Sequence, residues 1–211
     1  MKLRETIRKA YNATAVAYAK EFQDELEQKS LDRLLLRRFA KENRDKGKCL
    51  DLGCGPGHTT QFLAEMGMED LLGMDLSERM IATAKMSRNK ELQFEEADML
   101  DLPITAAQIG SILCFYGIVH FQLEELAKAV QEWWRVLKEG GQVLFSFHIG
   151  SEQRDLNTFL GEDVDITFYF FEIDQVIELL KAQGFTVLEV IERHPYPIEY
   201  PSKRAYILVE K

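Results

Sequence analysis

"CLDLGCGPGHTTQFL", Cys49–Leu63, is the stretch that decides how this chain is read. An apolar run with an acid, Asp51, passes into glycines at 53, 55 and 57, and apolar residues then recur at helical spacing. A strand that feeds a glycine loop and a helix presents backbone N–H groups at its carboxyl end, where open α/β sheets bind ligands. Gly53, Gly55 and Gly57 permit positive φ and let a ligand come close to the backbone. Two phosphate-binding loops share this outline, and neither fits. The dinucleotide fingerprint G-x-G-x-x-G needs a last glycine where this chain has His58, with Gly57 one place early. The phosphate loop needs Gly-Lys-Ser/Thr, and no lysine lies between Lys48 and Lys85.

Outward from this loop, short apolar runs at 47–53, 70–76, 92–98, 110–118 and 141–149 alternate with helical spacing at about 57–66, 77–88 and 122–138. Such alternation predicts βαβ units around a parallel sheet buried on both faces. Ser77 stands at an N-cap position before Met80, Ile81 and Ala84. Gly140 with Gly141, and later Gly184, stand where helices would end in a left-handed cap. The runs 185–193 and 205–211 are too close for a crossover helix, so they should pair antiparallel. The expected fold is therefore α/β, a three-layer Rossmann-like sandwich: a seven-stranded, mostly parallel sheet with an antiparallel C-terminal hairpin and helices on both faces. Residues 1–45 read as a helical cap of two helices ahead of a domain at 46–211, and either a cover for the ligand mouth or a plain cap on the sheet suits them. The aromatic-rich segment 148–174 is placed as a lid over the substrate.

Bulk properties narrow the class. Hydrophobic residues make up 46% and charged residues 29% of 211, proportions of a globular chain long enough to bury a core. A net charge of −9 argues against a nucleic-acid partner. The basic run "RLLLRRF" at 33–39 reads as the solvated face of a helix whose leucines pack inward. No secretory signal is evident, and no apolar stretch approaches the roughly 18 residues of a membrane span. Cys49, Cys54 and Cys114 are an odd, scattered set without zinc spacing, expected as packing residues in a reducing cytoplasm, with Cys54 alone near a ligand and no metal site.

Two further acids define the ligand. Asp75 ends the second apolar run, where a carboxylate accepts from both ribose hydroxyls. Asp98 ends the third, placed for the exocyclic amine of adenine, with Met99 against the ring. No basic clamp accompanies them. The implied ligand is an adenosine bearing positive rather than phosphate charge.

"CLDLGCGPGHTT", "MDLSERMIATAK", "ADMLDLP", "ILCFYGIVHF" and "EWWRVLKEGGQVLFSF" together resemble the successive motifs of class I S-adenosylmethionine-dependent methyltransferases of the seven-stranded small-molecule type, over about residues 45–150. The resemblance implies S-adenosylmethionine as cofactor, S-adenosylhomocysteine as product and a small-molecule methyl acceptor. It places Asp51 and the loop Gly53, Cys54, Gly55 and Gly57 against the amino-acid part and ribose, Asp75 on the ribose and Leu76 beside the adenine. Asp98 and Met99 would hold the adenine edge and face. Cys114, Phe115 and Tyr116 would lie near the methyl group, and Tyr11 and Tyr18 would fold over the cofactor. Plainer roles stand beside these: Asp51 as a loop organiser, Asp75 as a helix-start acid, Asp98 as a turn residue, Met99, Tyr11 and Tyr18 as packing. The chain has "CFYG" where nucleic-acid amino-methylating relatives carry Asn-Pro-Pro-aromatic.

Candidate bases are His120, after the fourth strand, and His148, at the end of the fifth; His58 is expected to face solvent or the cofactor carboxylate. Phe168 to Phe171 wall either the substrate or the core, and Arg204 either binds a carboxylate or pairs with Glu199. Adjacent Trp133 and Trp134 cannot share one helix face, which leaves one as a contact-surface candidate and the oligomeric state open. The alternatives are a non-catalytic S-adenosylmethionine-binding module and an NAD(P)-dependent oxidoreductase.

Overall fold

A computed structural model describes residues 2–211. Helices α1 (Lys2–Glu21) and α2 (Ser30–Asn43) come first, joined through a 3-10 turn at Glu25–Gln28. Then β1 (Cys49–Leu52), α3 (His58–Glu65), β2 (Leu71–Asp75), α4 (Glu78–Ser87) and β3 (Gln93–Glu96) alternate, followed by β4 (Ile109–Phe115), α5 (Leu123–Val136) and β5 (Leu137–His148). A hairpin of β6 (Gln153–Phe159) and β7 (Glu162–Tyr169) precedes α6 (Ile173–Gln183), β8 (Thr186–Arg193) and β9 (Arg204–Glu210).

Seven strands form one sheet in the order β3-β2-β1-β4-β5-β9-β8. Neighbours among β1 to β5 run parallel, and β9 is antiparallel to both β5 and β8. The expected fold class is the observed one. The order reverses between β1 and β4, so the carboxyl ends of these strands open a crevice where the crossovers part to opposite faces.

Alternation along each strand divides the core between two faces. Leu50, Leu52, Ile112, Phe145, Phe147 and Ile207 point to the side covered by Trp133 of α5 and Leu180 of α6. Cys49, Leu113, Leu144 and Leu208 point to the other, against Leu36 and Phe39 of α2 and Leu63 of α3. The first 45 residues thus divide their task. α2 caps the sheet, while α1 packs on α4 and β7 above the crevice. The burial pattern of α1 explains its placement, since Ile7, Ala10, Thr14 and Ala15 are buried along one stripe. In "RLLLRRF" Leu35, Leu36 and Phe39 are buried as expected, Leu34 is exposed, and Arg38 is neutralised by Glu42 and Glu189.

One expectation needs correction. α5 ends at Val136, and Gly140 and Gly141 do not cap it. They lie within β5, where the register to β4 jumps from Ile109↔Leu137 to Ser111↔Gln142, and Gly140 takes φ 71° in that bulge. Gly184, by contrast, caps α6 at φ 114°, and Ser77 caps α4 by accepting from the Met80 N–H at 3.1 Å. The adjacent tryptophans differ as their spacing requires: Trp133 is wholly buried, and Trp134 is half-buried, edge-on to Phe185 with the Lys211 ammonium 5.0 Å from its ring. Within the segment 148–174 the chain forms a β-hairpin, turning at Leu160 (φ 51°) and Gly161 (φ 85°), the paired positive φ of a type I′ turn.

Candidate active site

A cavity of about 730 Å³ opens at the carboxyl ends of β1, β2 and β4, roofed by α1 and the β6–β7 hairpin. Gly53, Cys54, Gly55, Asp75, Leu76, Asp98, Met99, Phe115, Tyr116, Tyr11, Tyr18, His120 and His148 all line it. Asp51, Gly57 and Cys114 do not, and each has a visible structural task. Asp51 is buried and accepts from the hydroxyls of Thr59 and Thr60, both at 2.6 Å, which ties β1 to the start of α3. Burial pushes its carboxyl above the ordinary range. Gly57 takes φ 77° ahead of α3, where a Cβ would lie 2.7 Å from the Phe94 ring. Cys114 is buried beneath Gly117, whose Cβ position would fall 2.8 Å from its Sγ.

At the glycine loop, the Asp75 carboxylate accepts from the N–H of Gly55 at 2.9 Å and of Ser77 at 2.8 Å. One acid therefore fixes the loop after β1 and the turn into α4 while still facing the cavity. Burial pushes it up to about 6, against the opposing pull of these two N–H groups. Asp98 accepts from the Leu100 N–H at 3.0 Å and is paired with Arg4 of α1, so its carboxylate is already shared. Basic groups at this end are matched by acids: Arg4 by Asp98, Arg8 by Glu5, and His58 by Glu25 at 2.5 Å. His58 thus lines the cavity while its Nε2 is held by Glu25 of the 3-10 turn. A loop with open space at Gly55, whose nearest neighbour to a Cβ is Tyr18 at 4.0 Å, and without a spare cation suits a ribose and a positive centre rather than a pyrophosphate.

Tyr11 and Tyr18 hang from α1 over this space, 6.1 Å apart, and Phe159 of the hairpin meets both at 6.3 Å. The Tyr11 hydroxyl lies 2.7 Å from Nε2 of His120, whose Nδ1 lies 2.7 Å from the Thr167 carbonyl oxygen. A carbonyl only accepts, so Nδ1 carries the hydrogen and Nε2 accepts from Tyr11. Burial holds His120 down at about 4, hence neutral. Tyr116 closes β4 at φ 55°, a strained conformation for a tyrosine, and its hydroxyl lies 3.1 Å from that of Tyr206, which donates to Asp32 at 2.7 Å.

The far end brings His148 and Arg204 together with Tyr200, Lys29 and Arg154, the last two of which no sequence motif marked. His148 makes a 2.7 Å hydrogen bond from Nδ1 to Ser202, stacks on Phe170 at 5.1 Å and lies 5.5 Å from the Tyr116 ring. Burial, then the field of Arg204, brings it down to about 4. Around it stand Lys29 of the segment before α2, Arg154 of β6, and Tyr200 and Arg204 near β9. Of the four aromatics at 168–171, Phe168 and Phe170 wall the cavity while Phe171 belongs to the core. Arg204 makes hydrogen bonds to the carbonyls of Tyr200 and Ser202, and lies 3.6 Å from Glu199. Among the described residues, no group of three or more His, Cys, Asp or Glu is arranged to hold a metal, and no helix is long and apolar enough to cross a membrane.

Comparison with known proteins agrees with this geometry. Residues 49–141 match the family described as "Methyltransferase domain". The Bacillus subtilis (strain 168) protein YqeM, which carries a methyltransferase name, is 30% identical over 173 residues, covering 74% of this chain and 70% of the relative. A malonyl-(acyl-carrier protein) O-methyltransferase of Enterobacter lignolyticus (strain SCF1) is 32% identical over 123 residues, 58% of this chain but only 46% of that longer relative. Among solved structures, the DhpI-SAM-HEP complex superposes with a TM-score of 0.80 at 20% identity, covering 99% of this chain and 98% of that one, a likeness of fold. With the ordered motifs, the strand order and the acid-lined cavity, these matches identify the chain as a member of the class I S-adenosylmethionine-dependent methyltransferases.

Proposed function

We propose that the protein methylates a small-molecule acceptor held at the His148 end of the cavity, with the cofactor at the glycine-loop end. The observation that carries this reading is the continuity of one cavity from Asp75 and Gly55, past Tyr116, to His148. S-Adenosylmethionine, when bound, supplies an electrophilic methyl group for direct in-line displacement.

The chain's own residues bind, orient and exclude water. Asp75 would accept from the ribose hydroxyls with the lone pairs its two N–H partners leave free, and Asp98 and Met99 would take the adenine edge and face. Tyr11 and Tyr18 would cover the cofactor, with Phe159 closing over them, so that water is displaced from the reacting centre. Alignment alone supplies much of the rate, since effective molarities of roughly 10⁵ M or more are reached by well-oriented pairs. The two histidines differ in availability. Nε2 of His120 already accepts from Tyr11, so a proton would reach it through that hydroxyl. Nε2 of His148 has no hydrogen-bond partner among the described residues, which makes His148 the better placed base for an acceptor hydroxyl. A small acceptor also fits the overall charge of −9, which disfavours nucleic acid.

Separate calorimetric titrations with S-adenosylmethionine, S-adenosylhomocysteine, NAD and NADP test the cofactor end. Binding of the two sulfur nucleotides alone is expected; binding of a dinucleotide alone would overturn the reading.

A further inference from the structure

The far end of the cavity holds more positive charge than its acids neutralise. We propose that this excess is an oxyanion subsite, in which Arg154, backed by Lys29 and Arg204, binds a carboxylate, phosphonate or phosphate group of the acceptor beside His148. The proposal rests on the reading that the acceptor occupies this end.

The charge count is local. Lys29 pairs with Glu25 at 2.7 Å, Arg193 with Glu199 at 2.6 Å and with Asp32 at 3.2 Å, and Arg204 stands 3.6 Å from Glu199. Three acids therefore answer Lys29, Arg193 and Arg204. Arg154 is left over: among the described residues no carboxylate lies within ion-pair distance of it, although it lines the cavity. Its guanidinium instead lies 4.3 Å from the Tyr200 ring. Stacking on an aromatic face leaves the planar edge of N–H donors free, and that edge matches an oxyanion bidentately.

The surroundings hold Arg154 at the right place. Tyr200 meets His148 edge-on at 6.5 Å and Phe170 at 6.0 Å, so the stacked arginine sits on the aromatic group that also walls His148. Arg204 adds positive charge beside it: its Nε is buried 3.6 Å from Glu199, an ion-pair contact too long for a hydrogen bond. The same field argues against the opposite ligand. Aromatic walls alone would suit a cation, but Lys29, Arg154 and Arg204 all act on His148 to disfavour its positive form, and they would disfavour a cationic acceptor in the same way.

The test follows the ¹⁵N signals of His148 in the full-length protein, assigned by their loss in His148→Gln, with and without S-adenosylhomocysteine. Propionate and methylphosphonate are the anionic probes and propan-1-ol the uncharged control. Either anion should shift His148 saturably where propanol does not, with Arg154→Ala weakening binding about tenfold and Arg154→Lys falling between. Propionate alone would mark a pocket for a planar carboxylate, and methylphosphonate alone one for a tetrahedral group. Anions that bind no better than propanol, or as well to Arg154→Ala as to the parent, overturn the subsite. A protein that binds S-adenosylhomocysteine but neither anion loses only this inference. One that binds an anion but not the nucleotide keeps the subsite and loses the proposed function.

Discussion

The Tyr11 hydroxyl lies 2.7 Å from Nε2 of His120, and that pair joins a helix, a loop and a hairpin. Tyr11 belongs to α1, His120 to the loop after β4, and the Thr167 carbonyl that fixes the His120 tautomer to β7. Tyr11→Phe leaves a buried Nε2 with no donor and should cost about 1–3 kcal/mol. Thermal melts measure the loss, and hydrogen exchange should quicken in α1 and the β6–β7 hairpin before the sheet. An unchanged melting temperature with unchanged exchange would show that the pair does not hold the roof.

The same histidine sets a pH dependence. Burial holds it at about 4 in the fold, below its ordinary 6.5, so the unfolded chain takes up the proton first as pH falls. The stability it contributes is whole above about pH 6.5 and is lost as pH drops from 6.5 towards 4. His148, also at about 4, acts in the same direction. Asp75 opposes them: raised to about 6 from 3.8, it relieves a cost of folding as pH falls through that window. Burial raises Asp51 and Asp32 as well, so the histidine share is read by difference: in denaturant titrations at stepped pH between 6.5 and 4, His120→Gln should lose less stability than the parent as pH falls.

Asp75 carries the cofactor prediction. Asp75→Ala should weaken S-adenosylmethionine binding by about 1.5–3 kcal/mol, the scale of hydrogen bonds to a charged group. Because the free carboxyl sits at about 6, the affinity of the parent should decline as pH falls below that value, whereas Asp75→Asn binds weakly at every pH. Calorimetry across pH separates the two. Equal affinity for parent and Asp75→Ala would remove Asp75 from the ribose.

The loop glycines should separate folding from binding. Gly57→Ala meets both a left-handed φ of 77° and the Phe94 ring at 2.7 Å, so it should destabilise the fold by about 2–4 kcal/mol. Gly55→Ala meets only φ 53°, with Tyr18 at 4.0 Å, and should cost about 1–2 kcal/mol while its methyl intrudes on the ligand space. Chemical denaturation paired with S-adenosylmethionine titration should therefore find Gly55→Ala folded and weakly binding, and Gly57→Ala impaired in folding itself.

Much of the fold was legible because its signals are local. The alternation of apolar runs with helical spacing, the Ser77 cap, the Gly184 cap and the antiparallel close are each written within a dozen or so neighbouring residues. Where local signals compete, reading fails. "LKEGGQV" resembles a helix end, yet pairing with β4 draws Leu137 to Gly140 into a bulged strand. The hairpin at 153–169 turns on a two-residue Leu-Gly without the Asn-Gly or Asp-Gly signature, and its strands do not alternate cleanly between buried and exposed residues, so no local signal marks it.

By itself, then, the sequence determined the order of strands and helices, the glycine loop and the acid after β2, since backbone conformation and strand–helix alternation are properties of neighbouring residues. Only the tertiary structure decided which polar side chains reach the cavity. It turned Asp51 away to the hydroxyls of Thr59 and Thr60, occupied Asp98 with Arg4, and brought Lys29, Arg154, Tyr200 and Arg204 around His148. Those groups come from a turn, a hairpin, the loop before the last strand and that strand's first residue. Charge balance and hydrogen-bond satisfaction are sums over whatever the fold places within a few ångströms, and no window of sequence contains that sum.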